Sequence, residues 1–446
     1  MILPEEVKKA LSMLEDAGFE AYLVGGCVRD FLLGKMPRDF DITTNALPEE
    51  TEEVFGGFQV IETGIKHGTV TVLINNMPLE MTTYRADGSY SDGRHPDEVH
   101  FTRRLEEDLA RRDFTINAIA YNPKRGIVDR FGGRQDLSQK QIRTVGEAKK
   151  RFTEDALRIV RALRFSSELG FSMEEQTAAA AQTLRERLSK VSAERIYTEL
   201  TKLLCGENVR NVLISYPEIP GVWLPELLPM VGFHQHNFHH IYTVWEHTAA
   251  VVEAIQPVPH LRWAALLHDC GKPGTFSMGA DGVGHFYGHH KRSTALAEII
   301  LDRLKTDRDT RTRIITLIRY HDTPLEQEPK SVKRMLNKLG AELFFDLIKL
   351  QRADNMGQAP QFRDRQQKLD GIEAMALEIL NSADCFSLKN LAVSGEDLIA
   401  LGIPAGPTMG KILKLLLEAV IDGQLANEKP PLLRKAKEYY VKEQKN

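Results

Sequence analysis

The spacing of apolar and polar residues divides the chain into a mixed first part and a helical remainder. Short runs rich in β-branched and aromatic residues predict strands at 21–24, 58–61, 68–74 and 79–84. Residues 4–17 have apolar positions three and four apart, which predicts an amphipathic helix. From about residue 151 the spacing stays helical. The pattern therefore predicts an α+β fold, in which a mixed sheet with helices precedes an all-α region.

A glycine turn and an acidic pair follow the first predicted strand. The strand ends at Gly25 and Gly26, where glycine permits a tight turn and the amides of the next helix can face a phosphate. Asp39 and Asp41 are two residues apart on a predicted second strand, so both carboxylates would share one face and could hold Mg²⁺. Each feature is common by chance. In this order they indicate nucleotidyl or phosphoryl transfer.

Composition restricts the class of protein further. A chain of 446 residues has room for roughly two to four domains. Its net charge of −4 shows no global basicity, so RNA binding would require local basic surfaces. Four scattered cysteines without a CxxC pair favour reduced thiols over disulfides or zinc. Neither a signal peptide nor a membrane span is predicted, which indicates a cytoplasmic protein.

Two arginines and an aspartate are predicted to open an apolar helix over 109–121. Arg111, Arg112 and Asp113 could form an ordinary charged helix start. Arginines oppose the helix dipole at that end, however, and this mismatch favours an anionic ligand.

A second charged pair is predicted on a helix over 154–165, with Thr153 as its N-cap. Asp155 and Arg158 would lie on one face at a spacing of three, and a surface salt bridge is the alternative interpretation. The Asp155 acceptor beside the Arg158 donor complements the amino donor and ring-nitrogen acceptor that cytosine and adenine both present. Uracil and guanine present the reverse order, so their polar groups would be left unpaired. The match in residue type and spacing favours recognition of C and A.

Histidine and aspartate recur on the predicted helices of the second half. A single histidine on an apolar helix is usually a core residue, but several helices that each supply a ligand predict a transition-metal site. The positions concerned are His247, His268, Asp269, His289, His321 and Asp354.

The motifs together resemble the class II tRNA nucleotidyltransferases and bacterial poly(A) polymerases. The resemblance rests on Gly-Gly-Cys-Val-Arg-Asp at 25–30, Asp-Phe-Asp at 39–41, Arg-Arg-Asp at 111–113 and Glu-Asp-Ala-Leu-Arg at 154–158. It implies a polymerase-β-like head in which Asp39 and Asp41 hold Mg²⁺. By its position on the last predicted strand of this head, Glu80 could be a third metal-facing carboxylate. A solvated strand position is the alternative for Glu80. The nucleotide-binding residues implied are Gly25, Gly26, Arg29, Arg112, Asp113, Asp155, Arg158, Arg161 and Arg164.

The histidine-rich half resembles the HD phosphohydrolase superfamily. That resemblance implies His247, His268, Asp269 and Asp354 as ligands of a divalent transition metal of unknown identity. His289 and His321 would bind a second metal or a phosphate. A degenerate remnant that only supports tRNA is the alternative. The implied domains are a head at 1–140, a neck at 141–225, an HD-type domain at 226–360 and an RNA-binding tail at 361–446.

The implied activity is addition of C and A to the tRNA 3′ end from CTP and ATP. The alternatives are a poly(A) polymerase, an A-adding or CC-adding enzyme, and a metal phosphohydrolase with an RNA-binding head. A loop over 86–100 has the full length that the family associates with the final A, which argues against a CC-only enzyme. The sequence leaves the oligomeric state open.

Overall fold

The structure is a computed structural model that describes residues 2–65, 68–87, 99–236, 241–363, 365–382 and 384–444. It contains two compact units, Met1–Leu228 with Asp302–Thr306, and Pro229–Leu301 with Asp307–Asn446. Most of the loop predicted over 86–100 lies outside the described residues. None of the helices in the described part of the chain has both the length and the apolar character required to cross a membrane.

A seven-stranded mixed sheet forms the centre of the first unit within the described residues. Its strand order is β3-β4-β5-β2-β1-β8-β9, and β2 and β5 run parallel while the other neighbours are antiparallel. A separate short pair is β6 with β7. The strands are β1 Ala21–Val24, β2 Asp41–Thr44, β3 Gln59–Gly64, β4 Thr69–Ile74, β5 Met77–Thr83, β6 Arg85–Asp87, β7 Val99–Phe101, β8 Ile119–Asn122 and β9 Gly126–Asp129.

Helices cover this sheet and continue into the rest of the first unit. Buried Val7, Leu11 and Leu14 form the apolar face of the first helix, as the sequence predicts. The helices are α1 Glu5–Asp16, α2 Gly26–Leu32, α3 Pro48–Val54, α4 Leu105–Ala110, α5 Gly133–Gln139, α6 Ala148–Glu154, α7 Leu157–Leu169, α8 Glu175–Leu184, α9 Ala193–Leu204, α10 Val209–Ser215 and α11 Glu218–Gly221.

The second unit is predominantly helical. Its helices are α12 Val244–Ala254, α13 Pro259–Leu267, α14 His289–Arg303, α15 Arg308–Tyr320, α16 Pro329–Met356, α17 Arg365–Asn381, α18 Gly395–Ala400, α19 Pro407–Ile421 and α20 Lys429–Glu443. Phe344 and Ile372 belong to one buried apolar cluster, and Leu398, Leu416 and Leu432 belong to another near the carboxyl end. The mixed sheet followed by helices confirms the α+β prediction.

Two predicted helices are wrong in their extent. The apolar run after Asp113 forms a short 3₁₀ turn and the interior strand β8 rather than a helix. A strand buried on both faces has no period-two pattern, so its sequence resembles a buried helix. Around Asp155, the predicted single helix is two helices, α6 and α7, and Asp155 is extended between them with φ −142°.

Candidate active site and metal centre

Asp41 and Glu80 are direct register partners on the parallel strands β2 and β5, so their side chains share a face of the sheet. Strand β2 begins at Asp41, and Asp39 therefore lies just before the strand and not on it as predicted. All three carboxylates nevertheless line one cavity. Burial raises the pKa of Asp41, the charges of Glu80 and Asp39 raise it further, and Arg112 lowers it. Such a group of carboxylates favours a bound cation.

Gly25 brings Arg112 close to the acidic group. It caps α2 with a φ of 77°, a backbone conformation that residues other than glycine rarely adopt. A Cβ atom built on Gly25 would lie 3.4 Å from Arg112 Nη1 and 3.8 Å from Asp41 Oδ2. The glycine at this turn therefore leaves room for a cation and a carboxylate on the same side of the backbone.

Arg111 and Arg112 lie at the carboxyl end of α4, where positive charges interact favourably with the helix dipole. The prediction that these arginines open a helix and oppose its dipole is therefore wrong. Both arginines pair with the buried Asp108, at 2.7 and 3.2 Å. The pKa of Asp108 is lowered because these two charges outweigh the effect of its burial. Arg112 still contributes to the cavity described below, so its proposed role in binding does not depend on the helix argument.

Asp113 forms an ion pair with Arg161. Arg161 donates from Nε and Nη2 to Asp113 Oδ2, at 2.8 and 2.6 Å. Asn117 donates to the other oxygen at 3.3 Å and accepts from Arg29 Nη1 at 2.9 Å. Burial alone would raise the pKa of Asp113, but Arg161 lowers it to about 2. This network fixes Arg29, Asp113 and Arg161 relative to one another.

Arg164 is buried beside these groups. It pairs with Glu199 at 3.2 Å, and its guanidinium lies 4.1 Å from the centre of the Phe165 ring. Burial lowers its pKa from the ordinary arginine value.

A cavity of about 800 Å³ contains most of the predicted nucleotide-binding residues. We call it the nucleotide cavity. Its volume lies within the usual range for small-molecule sites. Cationic side chains predominate over acidic ones along its walls, as a triphosphate requires. Its lining includes Gly25, Gly26, Arg29, Lys35, Arg38, Asp39, Asp41, Arg112, Asp113, Arg161, Arg164 and Lys202.

Asp155 and Arg158 do not line this cavity. Asp155 accepts from Arg195 Nη2 at 2.7 Å and from the Leu157 amide at 3.0 Å. Arg158 pairs with Glu154 at 2.7 Å and donates to the Arg111 carbonyl at 3.2 Å. Because Asp155 is extended and α7 begins only at Leu157, the two side chains do not share a helix face, although the Arg158 amide donates to the Asp155 carbonyl at 3.1 Å. Their proposed contact with the base remains a prediction.

Six predicted metal ligands converge in the second unit. His247, His268 and Asp354 form one group of potential ligands, and Asp269, His289 and His321 form another. Asp269 links the groups. Its Oδ2 lies 3.2 Å from His268 Nε2, and its Oδ1 lies 3.4 Å from His289 Nε2. These residues lie in α12, α14 and α16 or directly after α13 and α15, so positions up to 107 residues apart in the sequence meet in one site.

Backbone carbonyls fix the tautomers of the four histidines. Nδ1 of each ring lies 2.7–3.2 Å from a carbonyl oxygen, of Gly357, Ala265, Phe286 and Ile318 respectively for His247, His268, His289 and His321. A carbonyl only accepts, so Nδ1 carries a proton, and Nε2 is the nitrogen that faces the cluster and can bind a metal once it is unprotonated. His289 Nε2 and His321 Nε2 are 3.1 Å apart. Two lone pairs at that distance require a cation or a proton between them, which fits a metal site.

Charge in this cluster gives the same conclusion. Asp269 and Asp354 are both close to His268 Nε2, at 3.2 and 3.7 Å. Burial would lower the pKa of His268, but these carboxylates raise it to about 10. Lys272 lies 2.7 Å from Asp269 Oδ2 and is itself buried. Protonated His268 and Lys272 therefore balance the charges of the two carboxylates, and a divalent cation would replace the proton on His268.

Several residues of these sites were not predicted from the sequence. Asn117 joins two charged groups, and no spacing signal marks it. Lys202 lines the nucleotide cavity from α9, far along the chain. Lys272 and Gly271 had a signal, since both lie within three residues of His268-Asp269. A Cβ atom on Gly271 would lie 2.6 Å from the His289 carbonyl, so this glycine permits the close approach of α14.

Known families match three segments of the chain. Residues 21–143 match the family described as Poly A polymerase head domain. Residues 170–215 match "Probable RNA and SrmB- binding site of polymerase A", and residues 287–436 match the tRNA nucleotidyltransferase domain 2.

Full-length relatives agree with these segments. The CCA-adding enzyme of Leuconostoc mesenteroides is 34% identical, and the match covers 98% of each chain. That of Streptococcus pneumoniae serotype 4 is 35% identical over 99% of each chain. A crystal structure of the Bacillus stearothermophilus CCA-adding enzyme in complex with CTP has a TM-score of 0.75 at 31% identity, covering both chains completely.

Carboxylates on a mixed sheet beside a cationic cavity, together with these matches, define an RNA nucleotidyltransferase with a poly(A) polymerase-type head. The sequence similarity extends over nearly the whole length of these relatives, and all of them are CCA-adding enzymes. The chain belongs to the CCA-adding enzyme family of tRNA nucleotidyltransferases, as the sequence predicts.

Proposed function

We propose that this chain adds C and A to the 3′ end of tRNA from CTP and ATP, with Asp39, Asp41 and Glu80 at the reaction centre. The RNA 3′ hydroxyl attacks the α-phosphate, a new phosphodiester forms, and pyrophosphate leaves. The observation that supports this assignment most strongly is the pairing of Asp41 with Glu80 beside the nucleotide cavity. The full-length relatives are CCA-adding enzymes, which favours this activity over poly(A) synthesis or partial addition.

The family depends on a divalent metal, and the oxygen ligands of the three carboxylates fit Mg²⁺. When bound, Mg²⁺ stabilises negative charge on the phosphate oxygens. Arg29 and Arg112 bind the triphosphate in the nucleotide cavity, and Gly25 and Gly26 let the backbone approach it. Asp113 lines the same cavity, and we assign to its carboxylate the recognition of a ribose hydroxyl. The protein acts chiefly by placing the reacting groups in line.

Base recognition is assigned to Asp155 and Arg158. Each oxygen of Asp155 makes one hydrogen bond, to Arg195 or to the Leu157 amide, and keeps a second lone pair for the amino group of C or A. Arg158 is held by Glu154, which orients its guanidinium. The test compares incorporation of CTP, ATP and UTP by Arg158→Ala and by the unmodified chain. Loss of discrimination supports the assignment, whereas unchanged selectivity contradicts it.

A second activity is proposed for the histidine cluster: metal-dependent hydrolysis of phosphoesters, such as terminal or cyclic phosphates at RNA ends. The four converging Nε2 atoms and the two carboxylates support it. His247, His268, Asp269 and Asp354 would hold one divalent transition metal, and His289 and His321 would hold a second. The metal would supply electrostatic stabilisation of the attacked phosphate. Hydrolysis of a cyclic phosphate by the metal-loaded protein, abolished in His268→Ala but retained in Asp41→Asn, is the expected result. A metal-loaded chain that hydrolyses no phosphoester contradicts this activity.

We place the chain in the cytoplasm, where tRNA and its triphosphate substrates occur. The proposed division of labour assigns residues 1–140 to catalysis, 141–225 to nucleotide recognition, 226–360 to metal binding and 361–446 to RNA binding.

A further inference from the structure

A second cavity of the first unit, of about 390 Å³, lies on another face of α7 from the nucleotide cavity. Helix α7 directs Arg161, Arg164 and Phe165 into the nucleotide cavity, whereas Ser166 and Gly170 line the second cavity. The two cavities have no lining residue in common. We call the second one the neck cavity, and the lining residues that matter here are Lys140, Ser166, Phe171, Asn208, Asn211 and Tyr216.

The hydroxyl of Ser166 is the clearest sign of a ligand. Only 2% of this residue is exposed, yet its Oγ has no hydrogen-bond partner among the described residues. Buried hydroxyls nearly always have a partner, and a serine inside a helix can donate to a carbonyl of the preceding turn. The adjacent Ser167 is equally buried, and its Oγ donates to the Leu203 carbonyl at 2.7 Å. A buried hydroxyl without a partner in the wall of a cavity is therefore available to a ligand inside that cavity.

Asn208 holds the polar wall of the neck cavity in place. Its backbone amide donates to the Ser167 carbonyl at 2.9 Å, and its Nδ2 donates to the Ser166 carbonyl at 3.4 Å. Its Oδ1 accepts from Asn211 Nδ2 at 2.7 Å. These bonds connect α10 with α7 and orient both side-chain amides before any ligand binds.

Charge limits what the neck cavity can hold. Lys140 is the one charged side chain in its described lining, whereas several arginines and lysines line the nucleotide cavity. The Lys140 carbonyl accepts from the Ser172 amide at 3.0 Å, which fixes the backbone that carries this cation. One cation without an acidic neighbour in the lining suits a ligand with a single phosphate and not a triphosphate.

The uncharged part of the wall suits a base and a sugar. Phe171 and Tyr216 supply aromatic surface, on which nucleobases stack. The amides of Asn208 and Asn211 and the Ser166 hydroxyl can donate to and accept from base edges and ribose hydroxyls. We propose that the neck cavity is a second nucleotide site, which binds one nucleotide with a single phosphate, either free or as part of a bound RNA strand. The nucleotidyl transfer proposed above does not require this site.

The two adjacent serines provide matched variants. Ser166→Ala removes a hydroxyl that has no partner in the described chain, so the Tm should not fall. Ser167→Ala removes a hydroxyl that bonds to Leu203, so the Tm should fall although the neck cavity keeps its polar groups. Lys140 has a φ of 54°, which glycine adopts without strain. Lys140→Gly therefore removes the cation and preserves the backbone.

Equilibrium dialysis measures the binding of CMP and AMP to the full chain while excess α,β-methylene CTP fills the nucleotide cavity. We expect one bound monophosphate per chain, and about tenfold or more weaker binding to Ser166→Ala and to Lys140→Gly. Ser167→Ala should bind as the unmodified chain does. Cytidine has no phosphate, so its binding should not change in Lys140→Gly. Equal binding of the monophosphates to all four chains overturns the proposal.

Photo-cross-linking distinguishes a free nucleotide from a nucleotide of RNA. A tRNA that lacks its 3′ end carries 4-thiouridine at single positions, and the cross-linked peptides are identified by mass spectrometry. If neither CMP nor AMP binds, cross-links within 166–173 or 208–216 that Ser166→Ala weakens assign the nucleotide to the RNA. The absence of both monophosphate binding and such cross-links overturns the proposal. CTP addition to this tRNA tests the proposed function separately, because Ser166 and Lys140 do not line the nucleotide cavity.

Discussion

Asp41 and Glu80 occupy opposed positions on two parallel strands that are far apart in sequence but adjacent in the sheet. Carboxylates held so close repel one another, and the raised pKa of Asp41 reflects this together with its burial. We predict that Asp41→Asn lowers the rate of nucleotide addition by about a thousandfold or more, since the charge stabilisation lost amounts to several kcal/mol. Single-turnover extension measures the rate. Circular dichroism should show an intact fold, and near-normal turnover in this variant contradicts the metal assignment.

Gly25 provides a test with a closely matched control. Gly25→Ala places a methyl group against Arg112, and we expect the KM for CTP to rise about tenfold or more. Gly34→Ala has the same kind of backbone strain, with φ 73°, but a Cβ there meets nothing within 4 Å. Both variants should lose similar stability, roughly 1–2 kcal/mol. Equal KM values for the two variants would show that the Gly25 contact is unimportant.

Arg195 is predicted to position Asp155 through the 2.7 Å ion pair between them. Arg195→Ala removes that pair, and we expect about a tenfold loss of discrimination for CTP and ATP over UTP. The ratio of kcat/KM values for the three nucleotides measures it. A purely structural role would lower all three rates together and leave their ratios unchanged. Lys190→Ala, at an exposed position, is the control.

The pairing of Asp113 with Arg161 predicts a pH dependence of local stability. The pKa of Asp113 is about 2 in the folded chain, below its ordinary value of 3.8. A lowered pKa stabilises the fold above the unfolded pKa, here by about 2 kcal/mol, and the contribution disappears as the pH falls from about 4 to about 2. Hydrogen exchange of α7 should therefore be faster in Asp113→Asn at pH 7. The difference between variant and unmodified chain should shrink toward pH 3, and a constant difference contradicts the ion-pair account.

Metal binding by the histidine cluster predicts a shift in thermal stability. A ligand at one hundred times its Kd stabilises the folded state by about 2.7 kcal/mol. We expect Mn²⁺, Co²⁺ or Ni²⁺ to raise the Tm of the chelator-treated chain, and His268→Ala to abolish that rise. His260→Ala is the control, because His260 pairs with Asp346 at 2.8 Å and does not belong to the cluster. An equal shift in both variants would place the metal elsewhere.

The sequence predicted those features in which local pattern and chemistry agree. Strand β1 and the turn at Gly25 follow from an apolar run that ends at glycine, and the structure confirms them. The histidine cluster was predictable because its ligands lie within or directly after helices that the sequence pattern predicts.

Features decided by tertiary contacts were not predictable. Strand β8 lies between two other strands and is largely buried, so its apolar run looked helical. The break at Asp155 arises where its carboxylate caps the Leu157 amide and binds Arg195, forty positions away. The sequence also offered Thr153 as a cap. Which of the two residues caps a helix is determined by tertiary contacts that form only in the folded chain.

Nucleotide extension tests the central claim most directly. A tRNA without its 3′ end is incubated with Mg²⁺ and each nucleoside triphosphate, singly and combined, and products are resolved to one nucleotide. We predict two additions with CTP alone, a third that requires ATP, and no further extension. Long A tails, or no extension under any condition, would contradict the account.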